Sequence, residues 1–401
     1  MAAFVIVGGG LAAAKAAEAL REEGFDGEIV LVGREPHLPY ERPPLSKGYL
    51  QGSDERDKIF VHDADWYREH DVDVRTGVSV TAVDPAAHEV TLSGGERLRY
   101  DKLLLATGAQ PRRLTVPGHE RVLYLRTVDD SDRLRGTFST ARKVAIIGAG
   151  WIGLETAAAA RAAGAEVTVI EQGQQPLLSA LGPEIGAVFA DLHREHGVDL
   201  RLGARLAEVT ETGVRLADGT AIDADAVLAG IGAVPDIELA AAAGLTIDNG
   251  VKVGADLRTS DPDIYAAGDV ANAHHPRLGY HVRVEHWANA LNQPSVAARA
   301  MLGRPAAYDE PPYFYTDQYD LGMEYLGHVP PGTPHDVVIR GDLSGREFLA
   351  FWLRDDRVIA AMNVNIWDQG DHLKALVLAQ TPVDRAALAD PKVPLEKLVR
   401  S

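Results

Sequence analysis

The 401-residue sequence contains no cysteine. Electron transfer to disulfides, a sulfenic acid cycle and all-cysteine ligation of an iron-sulfur cluster are therefore closed to this chain unless a thiol comes from elsewhere. Long apolar runs are missing too, none approaching the roughly 20 residues that cross a bilayer. The first apolar strand begins a few residues after Met1, so neither a membrane span nor a signal peptide is expected, and a cytoplasmic protein is. Basic residues are in the minority, 40 against 58 acidic, for a formal net charge of -18. That balance argues against nucleic acid as a partner, and an acidic partner must find a local cluster of cations, for which Arg299 and Arg304 are candidates. The 14 histidines include no HExxH. His193 and His196, at i and i+3, read as a solvated helix face, and no metal site is assigned.

What the chain does contain is a dinucleotide-binding unit in full order. KVAIIGAGWIGLETAAAARAAGAEVTVIE, residues 143 to 171, gives a buried strand at Val144 to Ile147, the turn glycines Gly148, Gly150 and Gly153, an Ala-rich helix, a second strand at Val167 to Ile170, and Glu171 at its end. The first glycine makes the tight turn, the second admits backbone close to a pyrophosphate, and the third lets helix and strand touch. The helix N-H groups face the diphosphate, and the carboxylate can accept from the ribose hydroxyls. A second such unit opens the chain: Phe4 to Val7, then Gly8, Gly10 and Ala13, a helix from Leu11 to about Arg21, and Ile29 to Val32 leading to Glu35. Two dinucleotide sites in one chain imply a flavin and a nicotinamide exchanging electrons.

Between and beyond these units the pattern is mixed. LPYERPPLSKGYL, residues 38 to 50, uses three prolines to hold a loop extended before a helix from about Leu45, and Lys47 is its candidate functional side chain; a surface lysine at a helix start is the alternative. Val72 to Tyr100 reads as a small antiparallel excursion with a turn at Ser93-Gly94-Gly95, and Lys102 to Leu105 as a buried strand. Strands around Leu200, Val214 and Ala226 close the second nucleotide unit at GIGAVP, residues 230 to 235. Asp269 follows a strand-like IYAA and faces a helix beginning near Asn289; alone, it reads equally as a turn residue or cap. After Glu310 come strands at Val337 to Arg340, Phe348 to Leu353 and Arg357 to Val364, and a helix from about His372 to Ala379.

The first GxGxxA, PYERPPLSK at 39 to 47, ATGA at 106 to 109, LRT at 125 to 127, GWIGLE at 150 to 155, YAAGDV at 265 to 270 and the EHWANA stretch from Glu285 together resemble the NADH-dependent, FAD-containing ferredoxin reductases of bacterial oxygenase systems. Rubredoxin reductases and apoptosis-inducing factor are more distant relatives of that group. The resemblance implies an α/β fold with two Rossmann-like, glutathione-reductase-like dinucleotide-binding domains and a C-terminal α+β domain. The expected division is 1–113 and 238–309 for FAD, 114–237 for NADH, and 310–401 for a domain covering the flavin. It places Gly8, Gly10, Ala13 and Glu35 on the FAD nucleotide, and Arg42, Lys47, Thr107, Gly108, Arg126, Gly268 and Asp269 elsewhere on FAD. Gly148, Gly150, Gly153, Glu171 and Gly232 fall on NADH. Glu155 is expected near Lys47 as the catalytic pair, its alternative being a carboxylate favoured by the macrodipole in a first helical turn. Glu285 and Trp287 line the nicotinamide side. Two departures stand out: Arg34 occupies a position where some relatives carry an acid, and Tyr315 stands where close relatives place a Trp beside the isoalloxazine.

The implied activity is hydride transfer from NADH to FAD and release of single electrons to an iron-sulfur ferredoxin that feeds an oxygenase. The chain is expected to act as a monomer or weak homodimer. The alternatives are an NADH oxidase or diaphorase that uses oxygen or a quinone, and an interaction protein governed by its redox state, as in apoptosis-inducing factor.

Overall fold

Phe4 to Val7 can be uniformly apolar because the strand they belong to, Ala3–Val7, is covered on both faces in the middle of a parallel sheet. In this computed structural model, which describes residues 2–398, the sheet runs in the order Ile264–Ala266, Lys102–Leu105, Ala3–Val7, Glu28–Gly33, Val72–Thr76. All four pairings are parallel. The helices Leu11–Glu22 and Trp287–Met301 pack on each other through fully buried alanines, among them Ala13, Ala16, Ala297 and Ala298. Small side chains there let the helix axes approach.

The chain divides into two compact units. The first comprises Met1–Pro44, Asp54–Gln110 and Ala233–Glu310, and holds the sheet just described. It also contains the antiparallel strands Val80–Asp84, Glu89–Leu92 and Arg97–Arg99. Val72–Thr76, expected to begin that excursion, instead extends the parallel sheet beside Glu28–Gly33. Its alternation matches an edge strand, which period alone cannot separate from a hairpin strand.

The second unit comprises Leu45–Ser53, Pro111–Gly232 and Pro311–Ser401. Its parallel sheet has the order Val198–Leu202, Glu166–Glu171, Lys143–Ile147, Ala226–Ala229. Five antiparallel strands follow from residue 313, ordered Tyr313–Gln318, Leu321–Gly327, Arg357–Val364, Glu347–Arg354, Asp336–Asp342, with the helix Gly370–Ala379 against them. The helix expected from Leu45 is two pieces, a 3-10 turn Pro43–Ser46 and a single helical turn Gly48–Gln51, parted at Lys47 by an extended φ of -120°. Proline at 43 and 44 suits a first turn, and Gly52, in the left-handed region at φ 82°, ends the second piece. Among the described residues no helix is long and apolar enough to cross a membrane.

Candidate functional site

In the first unit, Gly8 lies so close to the strand Lys102–Leu105 that a Cβ would stand 2.2 Å from the Ala106 carbonyl oxygen. Gly10 then ends the turn and opens the helix Leu11–Glu22, which no side chain caps. A Cβ added at Gly10 meets nothing within 4 Å, so the space in front of the helix N-H groups is clear. Uncapped donors at a positive helix end, with backbone that can be approached closely, suit a diphosphate. Glu35 is fixed beyond the next strand by Arg42 Nη2 (2.8 Å) and by the Tyr40 hydroxyl, while the Arg42 guanidinium lies 5.2 Å from the Tyr40 ring centroid. Each carboxylate oxygen keeps a second lone pair for a ribose hydroxyl. Arg34 points to Asp236 (3.0 Å).

The other expected residues of this unit form short links. Thr107 Oγ1 donates to the Asp236 carbonyl (2.7 Å), and Gly108 takes a left-handed φ of 74°. Gly268 N donates to Gln293 Oε1 (2.8 Å), and the Asp269 carbonyl accepts from Arg283 Nη1 (3.4 Å). Arg283 also pairs with Glu285. Trp287 begins the helix expected from Asn289, and its indole N-H donates to Glu41 (3.0 Å).

In the second unit the fit at the glycines is tighter. A Cβ at Gly148 would stand 2.5 Å from the Gly230 carbonyl oxygen, and one at Gly153 2.0 Å from that of Gly148. Gly150 caps the helix Trp151–Ala162, again without a side-chain cap. Beside this turn is a cavity of about 740 Å³, bordered by Gly148, Gly150, Glu171, Gln172 and Gly232 among others. Among the described residues no lysine or arginine lines it, and Glu171 is the one charged group that does. Arg205, between the lining residues Ala204 and Leu206, is exposed and is not among the residues that border the cavity. Glu171 is held by two backbone donors, Ala149 N at Oε2 (2.8 Å) and Gly173 N at Oε1 (2.6 Å).

Lys47 and Glu155 also meet in the second unit. Lys47 Nζ is 2.9 Å from Glu155 Oε2, with the carboxylate only 4% exposed and the lysine 16%. A solvated surface lysine is thereby excluded. Glu155 is the fifth residue of its helix rather than part of the first turn, so the macrodipole does not account for it. It accepts from the Ser46 hydroxyl at Oε2 and from Thr316 Oγ1 at Oε1 (2.6 Å). The Tyr315 ring lies under the ammonium, 5.4 Å from Nζ. The main chain of Leu45–Ser53 is tied down by Ser131 Oγ, which donates to the Leu45 carbonyl (2.8 Å), and by Tyr49, whose hydroxyl donates to Asp132 (2.5 Å). Arg126 precedes the helix Val128–Phe138, its backbone N-H donating to Asp130 (3.1 Å). Ser46 and Thr316 were not expected; hydroxyls 109 and 161 residues from their partner leave no local signal.

His193 corrects the reading of a solvated face. It is fully buried, with Nε2 2.9 Å from Gln318 Oε1, and His196 stacks on Tyr319 at 3.7 Å. Burial pushes the His193 imidazole down to about 4, against the opposing hydrogen bond of Gln318. The mean polarity of the helix Pro183–Glu195 hid a face that packs on the end of the strand Tyr313–Gln318. Arg299 and Arg304, candidates for a free basic cluster, both pair with Glu23, Arg299 at 3.7 Å.

Residues 2–293 match the family model described as pyridine nucleotide-disulphide oxidoreductase. The chain belongs to this family. Residues 313–399 match a second model, reductase C-terminal. The family's cofactors are FAD and NAD(H), and the two glycine turns fit them. Among curated relatives, the ferredoxin-NAD(+) reductase component of an anthranilate 1,2-dioxygenase system from Burkholderia cepacia is 42% identical, covering 98% of both chains. Putidaredoxin reductase from Pseudomonas putida is 36% identical over 98% of this chain and 96% of its own. Among solved structures, the covalent putidaredoxin reductase-putidaredoxin complex superposes with a TM-score of 0.94 at 36% identity, covering 99% of this chain and 98% of the other. The ferredoxin reductase of a Rhodopseudomonas palustris system gives a TM-score of 0.95 at 35% identity over the full length of both. Within a family named for disulphide chemistry, this oxidoreductase has no cysteine with which to perform it.

Proposed function

We propose that the chain takes hydride from NADH onto FAD and delivers the electrons singly to a small iron-sulfur ferredoxin serving an oxygenase. One observation carries this reading: two dinucleotide turns, each at an uncapped helix start and each followed by a strand-end carboxylate, occur in a chain without any thiol to receive the electrons. The names of the relatives support the acceptor, since one is captured in a covalent complex with putidaredoxin and another is the ferredoxin-NAD(+) reductase component of a dioxygenase system. A cytoplasmic location suits a consumer of NADH.

FAD supplies, when bound, a centre that accepts two electrons as hydride and gives them up one at a time. The residues do the rest. Gly8, Gly10 and Ala13 admit the FAD diphosphate, Glu35 and Arg42 hold the nucleotide end, and Thr107, Gly108, Arg126, Gly268 and Asp269 complete that site. Gly148, Gly150, Gly153 and Gly232 shape the NADH cavity, and Glu171 selects its ribose. Lys47 presents a positive charge, oriented by Glu155 and backed by Tyr315, that favours the electron-rich product of hydride transfer. Glu285 and Trp287 are assigned to the nicotinamide side.

The test is anaerobic mixing of the FAD-loaded protein with NADH, followed by reoxidation. Lys47→Ala is expected to slow flavin reduction or to raise reactivity with oxygen, at unchanged FAD content. Traces identical to wild type in both half-reactions would remove Lys47 and Glu155 from the chemistry.

A further inference from the structure

The hydrogen bonds at Glu155 continue away from Lys47 into the protein. Thr316 Oγ1 donates to Glu155 Oε1, Gln318 Nε2 donates to Thr316 Oγ1 (3.2 Å), and Gln318 Oε1 faces His193 Nε2 at 2.9 Å. Thr316 and Gln318 are each 1% exposed and His193 is fully buried, so solvent does not compete for these groups.

The far end of the row sets its direction. His193 Nδ1 is buried and has no hydrogen-bond partner among the described residues. A proton on Nδ1 would be an orphaned buried donor, whereas a proton on Nε2 has Gln318 Oε1 to receive it. With Nε2 protonated, the Gln318 amide must turn its NH₂ toward Thr316, and the Thr316 hydroxyl, already accepting, has to donate onward. The other tautomer would turn the Gln318 amide over and draw the Thr316 hydroxyl toward Gln318 Oε1, so that Glu155 Oε1 would lose its hydroxyl donor.

We propose that Gln318 and His193 are positioning residues for Glu155: they fix the direction of the row so that Oε1 is held by Thr316 and Oε2 is presented to Ser46 and Lys47. This rests on the role given above to Lys47 and Glu155. Neither residue touches the reacting atoms; both act through the carboxylate.

Two measurements on the FAD-loaded protein test it. Nitrogen NMR of histidine-labelled wild type should show His193 as the neutral tautomer with the proton on Nε2. In anaerobic stopped flow, Thr316→Val, which removes the hydroxyl donor to Glu155, and Gln318→Met, which removes the group that directs it, should each slow flavin reduction by NADH about tenfold, with NADH affinity within about twofold of wild type. Thr316→Ser, which keeps the hydroxyl, should restore the rate, and adding Gln318→Met to Glu155→Gln should cause no further loss. A proton found on Nδ1, or wild-type reduction by Gln318→Met and Thr316→Val where Glu155→Gln is slow, overturns the positioning role alone. Wild-type reduction by Glu155→Gln overturns the role of the carboxylate itself.

Discussion

Glu171 is already committed on both oxygens to the turn around it, through Ala149 N and Gly173 N, before any nucleotide arrives. Its carboxylate therefore cannot swing aside from a 2'-phosphate. At about 5 Å and an effective dielectric near 20, each unit of phosphate charge meets a repulsion of roughly 3 kcal/mol, and half of that is about tenfold in specificity. With no basic residue among the described ones lining the cavity to offset it, kcat/KM should favour NADH over NADPH at least tenfold, by that same estimate, and Glu171→Ala should narrow the gap. Equal use of both nucleotides by wild type would show that Glu171 does not meet the ribose. Single residues of this kind were legible in the sequence because a strand-end acid and a glycine turn obey local rules. Ser46, Thr316 and Gln318 were not, since Glu155 lies more than 100 residues from the first two and His193 as far from the third, and a hydroxyl or amide announces no direction.

The two nucleotide turns differ at the third glycine position of the motif, and the packing explains it. Ala13 is accommodated, fully buried, where the second unit has Gly153, whose Cβ would stand 2.0 Å from the Gly148 oxygen. Gly153→Ala should force the helix Trp151–Ala162 off its strand, with a loss of about 1–3 kcal/mol in stability and weaker NADH binding, while FAD content holds. Thermal unfolding and NADH titration would detect it; an unchanged melting temperature with normal NADH affinity would contradict the packing account.

The helix Pro183–Glu195 carries a second element-scale consequence through His193, whose imidazole falls from 6.5 to about 4 on folding. The unfolded chain binds the extra proton between those values, so the contribution is fully present above about pH 6.5 and lost as pH falls through about 4. It amounts to on the order of 3 kcal/mol. His193→Gln, which keeps a donor near the Nε2 position, should remove that share of the acid sensitivity in urea titrations at pH 7 and pH 4.5. Parallel loss of stability in both proteins would place the acid sensitivity elsewhere. Strands, nucleotide helices and fold class followed from period and glycine spacing. The buried face of this helix did not, because a histidine pair among charged neighbours looks the same whether water or a tyrosine lies against it.

For the whole molecule, the strongly negative charge makes recognition of an acidic carrier a local matter. Arg299 and Arg304 are engaged by Glu23, so replacing both with Ala should change the carrier KM by less than about twofold and leave its salt dependence intact. A flattened salt dependence would return them to the docking surface. The absence of cysteine, legible at once, leaves no thiol in the chain to receive the electrons. The most direct test is steady-state turnover of the yellow, FAD-loaded protein with NADH, reading cytochrome c reduction as purified ferredoxins are added one at a time. Slow reduction without carrier and a steep, saturable rise with at least one iron-sulfur ferredoxin are expected. Rapid NADH oxidation by oxygen or a quinone, with no response to any ferredoxin, would contradict this reading.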